Sequence, residues 1–337
     1  MSLVASVVGT GKIGEKHAKI LSAMPTVELG PLVDVDRDRA NEVATRVGTT
    51  TGSVADAVSA ADCLFVCTPD DQHTEIALRA IEGGLHTFVE KPLAATAAET
   101  ERLTAAARES DAIHTVGHVL RFDPRYRSIR DAVRTGEIGT VVSVTMERLV
   151  KRSRARRTGG ESPPWMRLGV HDFDLVEWLF DTEIVRLAAA EAAGALATEG
   201  YDIDESVSLL AKLSDEGTAT FTLGFSLPDG HPGSIVRTVA TGTDGTVSVD
   251  ASGTEVQRWN EDSGSAVDTH LWPDISGVPR GALERQDHEF IRAIRSNTSA
   301  PVPFADGHRA VRIAETVGDA VDSRGHIGVG DPGPRDL

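Results

Sequence analysis

A glycine-rich turn near the start of the chain constrains its fold more than any other sequence feature. The turn reads Gly9-Thr10-Gly11-Lys12-Ile13-Gly14; it follows the apolar run Leu3–Val8 and precedes a helix-like stretch at residues 13–24. Gly9 permits a tight turn, Gly11 lets the backbone approach a pyrophosphate, and Gly14 lets the helix pack closely on the strand. The pyrophosphate would then lie at the positive end of the helix dipole. This strand, turn and helix are typical of a dinucleotide-binding fold.

Asp34 completes the pattern. It closes the next apolar run, residues 28–34, about 20 residues beyond the turn, where such folds place an acid that binds the ribose hydroxyls. The other interpretation is that Asp34 caps the following helix. A carboxylate here would repel the additional phosphate of NADP, although the neighbouring Arg37 would weaken that repulsion. The sequence therefore predicts NAD as the cofactor, with NADP less favoured.

Composition excludes several classes of function. The chain has 337 residues and a formal charge of -17, whereas proteins that bind nucleic acid owe their affinity to clustered Lys and Arg. No segment has the roughly 18 consecutive apolar residues of a membrane span, and no signal peptide is evident. Cys63 and Cys67 lie about 13 Å apart on one predicted strand, too far for a disulfide. We therefore expect a cytoplasmic protein without nucleic-acid or membrane partners. Its acidity indicates either adaptation to high salt or an ordinary acidic enzyme.

The pattern of apolar runs divides the chain at about residue 120. Up to that point strands alternate with helices, which predicts a doubly wound parallel α/β sheet. The predicted strands are 3–8, 28–34, 63–67, 87–89 and 113–116, and the predicted helices include 37–47, 74–82 and 97–110. We assign residues 1–120 to a dinucleotide-binding Rossmann domain.

Residues 121–330 have a different pattern, which predicts an α+β domain with a large, open, mostly antiparallel sheet. Asp123 and Pro124 begin a helix that ends at Gly136, because an N-cap acid followed by Pro is a helix-start signal. The other predicted helices are 164–180, 283–295 and 307–321, and the predicted strands are 140–150, 184–190, 206–213, 218–227, 235–240 and 246–249.

In a doubly wound sheet, ligands bind beyond the carboxyl ends of the strands. The residues at those positions, besides the glycine turn and Asp34, are Thr68, Pro69, Glu90-Lys91-Pro92 and Gly117-His118.

Several of these segments resemble the Gfo/Idh/MocA (glucose-fructose oxidoreductase/inositol dehydrogenase) family. They are the glycine turn, Cys67-Thr68-Pro69 with His73, Glu90-Lys91-Pro92, Val116-Gly117-His118 with Arg121-Phe122, and Gly169-Val170-His171-Asp172 with Asp174. The Glu-Lys-Pro after a fourth strand is the most specific of them. Residues 117–124 look most like family members that act on sugars or nucleotide sugars.

The resemblance implies an NAD(P)-dependent oxidoreductase that acts on a sugar or polyol. It also implies that the second domain binds substrate and contributes to oligomerisation, as a homodimer or homotetramer. The cofactor site would comprise residues 9–14, Asp34, Thr68, Pro69, His73, Glu90 and Lys91. No metal ligand set is expected.

The chemistry of the reaction points to two residues. Hydride transfer from a carbinol carbon needs a cation to stabilise the developing alkoxide and a base to take the hydroxyl proton. Lys91 would supply the cation, and His171 would accept the proton near neutral pH. Outside this context, Lys91 would be a solvated charge and His171 a satisfied core histidine. His73 and His118 are equally well explained as a helix-start residue and a strand-end polar group.

One position departs from the family pattern. An aspartate commonly lies four residues before the histidine, but here that residue is Arg167, which would disfavour an imidazolium at His171. Asp174 is a possible substitute. Arg167 would pair with Asp172 or Glu161, or else bind an anionic substrate such as a sugar acid or nucleotide sugar.

The other positively charged residues have more than one possible role. Arg121 is a second candidate substrate contact. The basic run of Lys151, Arg152, Arg154, Arg156 and Arg157 is a solvated face, an anion site or a subunit contact. Two functional alternatives also stay open: a dinucleotide-binding regulator that has lost hydride transfer, and an enzyme with a tightly held, recycled cofactor.

Overall fold

The structure is a computed structural model that describes residues 2–160, 162–253, 256–259, 264–323 and 326–328. The chain divides into two compact units. One is formed by Met1–Val119 with Leu271–Val311, and the other by Leu120–His270 with Arg312–Leu337. Glu161 and most of the residues after 323, including the end of the expected second domain at 330, lie outside the described residues.

The first unit begins with alternating strands and helices. In chain order these are β1 (Leu3–Val8), α1 (Lys12–Ser22), β2 (Val27–Leu29), α2 (Arg37–Val47), α3 (Val54–Ala60), β3 (Cys63–Val66), α4 (His73–Glu82), β4 (His86–Val89), α5 (Ala97–Arg108) and β5 (His114–Val116). The strands pair in parallel in the order β2-β1-β3-β4-β5. This is the predicted doubly wound sheet, with β3 buried along its whole length.

Two elements of this unit differ from the sequence prediction. The strand expected at 28–34 ends at Leu29 because Gly30-Pro31 interrupts it, and Pro has no N–H for the ladder. Leu32 and Val33 then form only isolated bridges. Helix α3 was not predicted; a capping box of Ser53 and Asp56 begins it, but among its seven residues only Ala57 is buried.

The second unit contains a large sheet and the helices that cover it. Its elements are α6 (Pro124–Arg134), β6 (Val141–Lys151), α7 (Arg152–Arg156), a π-helix (Trp165–Gly169), α8 (Val170–Phe180), β7 (Ile184–Ala192), α9 (Ala195–Thr198), β8 (Ser206–Leu213), β9 (Thr218–Leu227), β10 (Ile235–Gly242), β11 (Thr246–Asp250), β12 (Val256–Trp259) and β13 (Gly264–Val267). Asp123 caps α6 as expected, by accepting a hydrogen bond from the Arg125 amide at 2.9 Å.

The remaining elements follow residue 271. They are β14 (Asp274–Ile275), β15 (Val278–Pro279), α10 (Ala282–Ser296), α11 (Phe304–Ser323) and β16 (His326–Gly328). Helix α10 belongs to the first unit because its apolar side packs there: the Phe290 ring meets Phe65 edge-on at 5.5 Å and lies 5.9 Å from Phe88. The sequence had placed this helix in the second domain, 121–330, and in this respect the structure differs from the expectation.

The sheet of the second unit has the order β11-β10-β6-β9-β8-β7-β16. β6 and β9 run parallel and the other neighbours run antiparallel, so the predicted, mostly antiparallel sheet is confirmed. One face is covered by α8, whose Phe173 packs edge-on against Phe221 of β9 at 5.3 Å. No helix in the described part of the chain is long and apolar enough to cross a membrane.

Candidate functional site

The glycine turn has the close approaches that the sequence predicts. Gly9 has a φ of 92°, and a Cβ on it would lie 2.6 Å from the carbonyl of Cys67. A Cβ on Gly14 would lie 1.8 Å from the carbonyl oxygen of Gly9, so only glycine lets α1 approach the strand this closely. An added Cβ on Gly11, by contrast, would meet no atom of the described residues within 4 Å apart from its own neighbours in the chain. The turn therefore leaves open space at the position where a pyrophosphate would approach, and it fits a dinucleotide.

Asp34 lies next to this turn. Its carboxylate accepts hydrogen bonds from the Thr10 amide (2.7 Å) and hydroxyl (3.0 Å), from the Asp36 amide (2.9 Å) and from Arg39 (2.8 Å). Burial acts to raise the pKa of Asp34, but the hydrogen bonds from Arg39, Asp36 and Thr10 outweigh it and lower the pKa to about 2. Asp34 is thus a permanently charged acid at the predicted ribose position.

One of the two interpretations of Asp34 was wrong. The side chain that caps α2 is Asp36, which accepts from the Arg39 amide at 3.1 Å, so the helix-cap interpretation of Asp34 fails. The cation bound to Asp34 is Arg39, the third residue of the helix, at 2.8 Å.

The loops after β3 and β4 are joined by His73. Its Nδ1 lies 3.0 Å from the carbonyl oxygen of Pro92, and its Nε2 lies 2.9 Å from that of Thr68. His73 is also the first residue of α4 and is buried. The structure therefore brings together Thr68, Pro69, His73 and the Glu90-Lys91-Pro92 loop, whose Lys91–Pro92 peptide bond is cis.

Glu90 holds the other side of this loop. Its Oε2 accepts a hydrogen bond from the Lys91 amide at 3.1 Å, and its Oε1 lies 3.1 Å from Nε2 of His17. Burial acts to raise the pKa of Glu90, but its contacts with His17 and Lys91 keep that pKa below its ordinary value. A Cβ on Gly117 would lie 2.9 Å from Oε1, so glycine is needed for the carboxylate to fit there.

The sequence analysis missed His17 and Asp287. Nδ1 of His17 lies 2.8 and 2.9 Å from the two carboxylate oxygens of Asp287, and neither side chain has any exposed surface. The ring also lies 5.0 Å from that of Phe88. His17 could have been noticed as a histidine on the buried side of the helix that follows the turn. No local pattern singles out Asp287.

In the second unit, two ion pairs involve three of the residues that the sequence singled out: Arg121, Asp172 and Asp174. Both oxygens of Asp174 accept from Arg121, at 2.5 and 3.0 Å, and both oxygens of Asp172 accept from Arg148, at 2.7 and 2.8 Å. All four residues are buried. The predicted pairing of Asp172 with Arg167 is therefore wrong, because Arg148 occupies that carboxylate; Glu161 lies outside the described residues.

His171 and Arg167 lie on consecutive helical segments. Arg167 belongs to the π-helix, His171 follows at the second position of α8, and both are partly buried. A π-helical turn contains more residues than an α-helical turn, so the two side chains are not related by the regular α-helical spacing that the sequence analysis assumed. The irregularity lies immediately before the proposed catalytic histidine, and π-helical turns occur frequently at functional sites.

The arginines of the basic run differ in their surroundings. Arg152 binds Glu205 at 2.7 Å, and Arg156 binds Glu199 at 2.7 Å and Asp229 at 2.5 Å. Burial and the positive charges of Arg157, Arg148 and Arg167 lower the pKa of Arg154. Three further guanidinium groups thus act on Arg154, one of which, that of Arg148, is itself paired with Asp172.

The described residues contain no group of three or more His, Cys, Asp or Glu side chains that could hold a metal ion. Within the first unit, the structure brings together the groups of a dinucleotide site.

Comparisons with known proteins agree with this geometry. Residues 4–118 match the oxidoreductase family with an NAD-binding Rossmann fold, and residues 126–248 match the Gfo/Idh/MocA C-terminal domain. The chain belongs to the Gfo/Idh/MocA family.

Two relatives match this Gfo/Idh/MocA protein over most of its length. Inositol 2-dehydrogenase 1 of Saccharopolyspora erythraea is 30% identical over 323 residues, which are 94% of this chain and 93% of the relative. The 4-carboxy-2-hydroxymuconate-6-semialdehyde dehydrogenase of a Sphingobium species is 28% identical over 298 residues, covering 86% of this chain and 90% of the relative.

The fold has close counterparts among solved structures. The scyllo-inositol dehydrogenase of Lactobacillus casei with bound NAD(H) and scyllo-inositol superposes with a TM-score of 0.84 at 19% identity, covering 98% of this chain and all of that one (100%). This similarity shows that the chain has the fold of the family, with a Rossmann unit and an open-sheet unit.

Proposed function

We propose that this chain is an NAD-dependent dehydrogenase that converts a CH–OH group of a sugar, polyol, sugar acid or nucleotide sugar into a carbonyl. The observation that carries the proposal is the Glu90-Lys91-Pro92 loop, which is held at the carboxyl end of a Rossmann sheet beside an open glycine turn. Relatives named inositol 2-dehydrogenase support a polyol-like substrate. Screening NAD reduction against sugars, polyols, sugar acids and nucleotide sugars in high salt tests the proposal.

Lys91 and His171 have different roles in the proposed reaction. NAD, when bound, supplies the acceptor for the hydride. Lys91 presents an ammonium group that stabilises the oxygen of the substrate as it gains negative charge. His171 takes the hydroxyl proton at an imidazole nitrogen, since a neutral imidazole can accept a proton near pH 7. The ammonium of Lys91 comes from a loop whose two flanking residues, Glu90 and Pro92, are both held by buried histidines.

Asp174 is a weaker candidate for proton transfer than the sequence suggested. Both oxygens of its carboxylate already accept hydrogen bonds from Arg121, which holds the carboxylate in place and occupies the atoms that would meet a substrate hydroxyl. We propose that Arg121 and Asp174 act as one rigid pair that shapes the substrate pocket. His171 then carries the proton transfer without an aspartate partner at position 167.

We propose that the preferred substrate carries an anionic group. The support is that the guanidinium groups of Arg157 and Arg167 lie near enough to Arg154 to lower its pKa; Arg148 also contributes, but its own charge is paired with Asp172. A carboxylate or phosphate would offset this charge and bind a guanidinium with two hydrogen bonds. A relative whose name specifies a carboxylated substrate is compatible with this proposal.

A non-catalytic regulator is the second candidate function. The observation that favours it is Arg167, which replaces the aspartate common in the family. A regulator would bind NAD and a sugar without substrate-dependent NADH formation, which distinguishes it from the dehydrogenase.

We also propose that the protein is a cytoplasmic homodimer or homotetramer adapted to high salt. The formal charge of -17 supports the last point. Support for assembly comes from a row of exposed side chains in cross-strand register on the uncovered face of the sheet: Val239, Thr145, Thr220 and Leu210. Val239 and Leu210 place apolar surface at the two ends of this row, which a second copy of the chain would cover.

A further inference from the structure

A buried charged cluster adjoins the Glu90-Lys91-Pro92 loop, and two of its members, His17 and Asp287, have no part in the hydride or proton transfer described above. It consists of His17 on α1, Glu90 after β4 and Asp287 on α10, all within the first unit. His17 and Asp287 have no exposed side-chain surface, and Glu90 is 14% exposed. The rings of Phe65 and Phe88 lie 5.4 and 5.0 Å from that of His17.

The geometry requires two N–H donors on one imidazole ring. Nδ1 faces the carboxylate of Asp287 and Nε2 faces that of Glu90. A neutral imidazole has only one N–H, so its other nitrogen would point a lone pair at a carboxylate. Burial acts to lower the pKa of His17, but Asp287 and Glu90 raise it to about 10. His17 is therefore an imidazolium at neutral pH.

Such a cluster is a costly way to stabilise a fold. Replacing a buried ion pair or triad by apolar residues of similar volume is often neutral or stabilising, because the desolvation of the charges is so large. Stability alone therefore does not explain the cluster, and the groups that it holds in place do. Its outward end is Glu90, whose second carboxylate oxygen accepts from the Lys91 amide at 3.1 Å.

We infer that His17 is a positioning residue for Lys91: Asp287 on α10 anchors its Nδ1–H, its Nε2–H fixes the Glu90 carboxylate, and Glu90 in turn fixes the main chain of Lys91. This inference rests on the proposed function in one respect, namely that the ammonium of Lys91 stabilises the substrate oxygen. A lysine carried by a loop has many rotamers, and fixing its main chain reduces the positions that the ammonium can reach.

The groups that face His17 can all be named. Asp287 lies on α10 and Glu90 follows β4; Cys67, after β3, interacts with both carboxylates, and burial raises the pKa of its thiol well above the ordinary value. Lys91 acts on Glu90, and His288 acts on Asp287. Phe65 and Phe88 cannot titrate, so the charge of His17 depends on the two carboxylates.

The test uses two double variants that differ only in which contact they keep. The amide nitrogen of Gln approximates Nε2 of His, so His17→Gln keeps a donor toward Glu90; that of Asn approximates Nδ1, so His17→Asn keeps a donor toward residue 287 and loses Glu90. Both are made with Asp287→Asn, which removes the charge that the lost imidazolium would leave uncompensated.

We expect His17→Gln/Asp287→Asn to retain most of the turnover, and His17→Asn/Asp287→Asn to lose about 10- to 100-fold in kcat.

A second readout needs neither substrate nor cofactor: the rate at which an amine reagent labels Lys91, measured by mass spectrometry across pH. We expect the Asn variant to label with a different pH dependence from the unmutated protein, and the Gln variant to follow the unmutated protein.

His114→Asn is the matched control. His114 is also buried in the first unit, but its ring nitrogens have no hydrogen bond within the described part of the chain, and the ring packs against Phe304 at 5.7 Å. This variant should lower stability without changing kcat or the labelling of Lys91. Equal behaviour of the Gln and Asn variants in both readouts would overturn the inference.

Lys91→Ala separates this inference from the proposed function. If Lys91→Ala is inactive while the Asn variant retains full turnover and normal labelling, the positioning role is wrong and the dehydrogenase stands. If Lys91→Ala retains turnover, the proposed role of Lys91 fails, and labelling alone decides whether His17 positions it. Should the Asn variant not fold, His17→Gln/Asp287→Asn alone gives the answer: it must keep most of the turnover and the labelling profile of the unmutated protein, and a loss of about 10-fold or more in kcat overturns the inference.

Discussion

His17 and Asp287 are 270 positions apart in the chain, yet they share a hydrogen bond of 2.8 Å with no exposed surface on either side chain. The contact ties the helix after the glycine turn to a helix near the C-terminus. It also connects, through Glu90, to the loop that carries Lys91.

The free energy of unfolding should decrease as pH rises above about 6.5, the ordinary pKa of histidine and the value expected for His17 in the unfolded chain. In the folded protein the pKa of His17 is raised to about 10. A raised pKa stabilises the fold fully below the unfolded value, and this contribution is lost as pH rises toward the folded value. The slope should reach about 1.4 kcal/mol per pH unit for this one proton. Urea unfolding from about pH 7 to 10 measures it, and His17→Gln/Asp287→Asn should remove that slope.

Gly11→Ala should weaken NAD binding without destabilising the unliganded protein. In the described part of the chain, a Cβ at this position meets no atom within 4 Å beyond its own neighbours, so it would enter the space left for the pyrophosphate. Gly14→Ala is the contrasting variant, because its Cβ would collide with the Gly9 carbonyl at 1.8 Å and should destabilise the fold itself. Thermal unfolding with and without NAD distinguishes the two; normal NAD affinity in Gly11→Ala would mean that the pyrophosphate lies elsewhere.

The sequence predicted the parts of the site that depend on local patterns. The glycine turn, Asp34, the helix cap at Asp123 and the Glu90-Lys91-Pro92 loop each have a short signal with a physical meaning. Asp287 has no such signal, because its role arises only when α10 packs against the rest of the first unit. The pairing of Arg148 with Asp172 could not be predicted either. No sequence pattern links two residues that lie 24 positions apart, one on a strand and the other on a helix.

Catalytic efficiency with NAD should exceed that with NADP, and removing the Asp34 carboxylate should reverse part of this preference. Asp34 holds Arg39 at 2.8 Å, so Asp34→Ala releases a guanidinium that can bind the additional phosphate. The double variant Asp34→Ala/Arg39→Ala lacks that guanidinium and should not gain activity with NADP. Measuring kcat/KM with both cofactors tests this; equal efficiencies in the unmutated protein would contradict the assignment.

Arg154→Ala and Arg167→Ala should raise KM for an acidic substrate by about 10-fold or more, with little effect on its neutral analogue, because each lost guanidinium interaction with an anion is worth roughly 1.5 kcal/mol or more. Arg156→Ala is the control, since Arg156 is held by Glu199 and Asp229. Paired measurements with a sugar acid and its parent sugar decide the matter. An equal increase in both KM values would show that these arginines serve the fold.

The most direct test of the whole account is substrate-dependent NADH formation by the unmutated protein, Lys91→Ala and His171→Ala, with NAD affinity measured in parallel. The account predicts turnover by the unmutated protein, a decrease in kcat of about 100-fold or more in each variant, and nearly unchanged NAD binding. Near-normal turnover in either variant would remove that residue from the mechanism. Tight NAD binding with no turnover on any alcohol would contradict the dehydrogenase and identify a regulator.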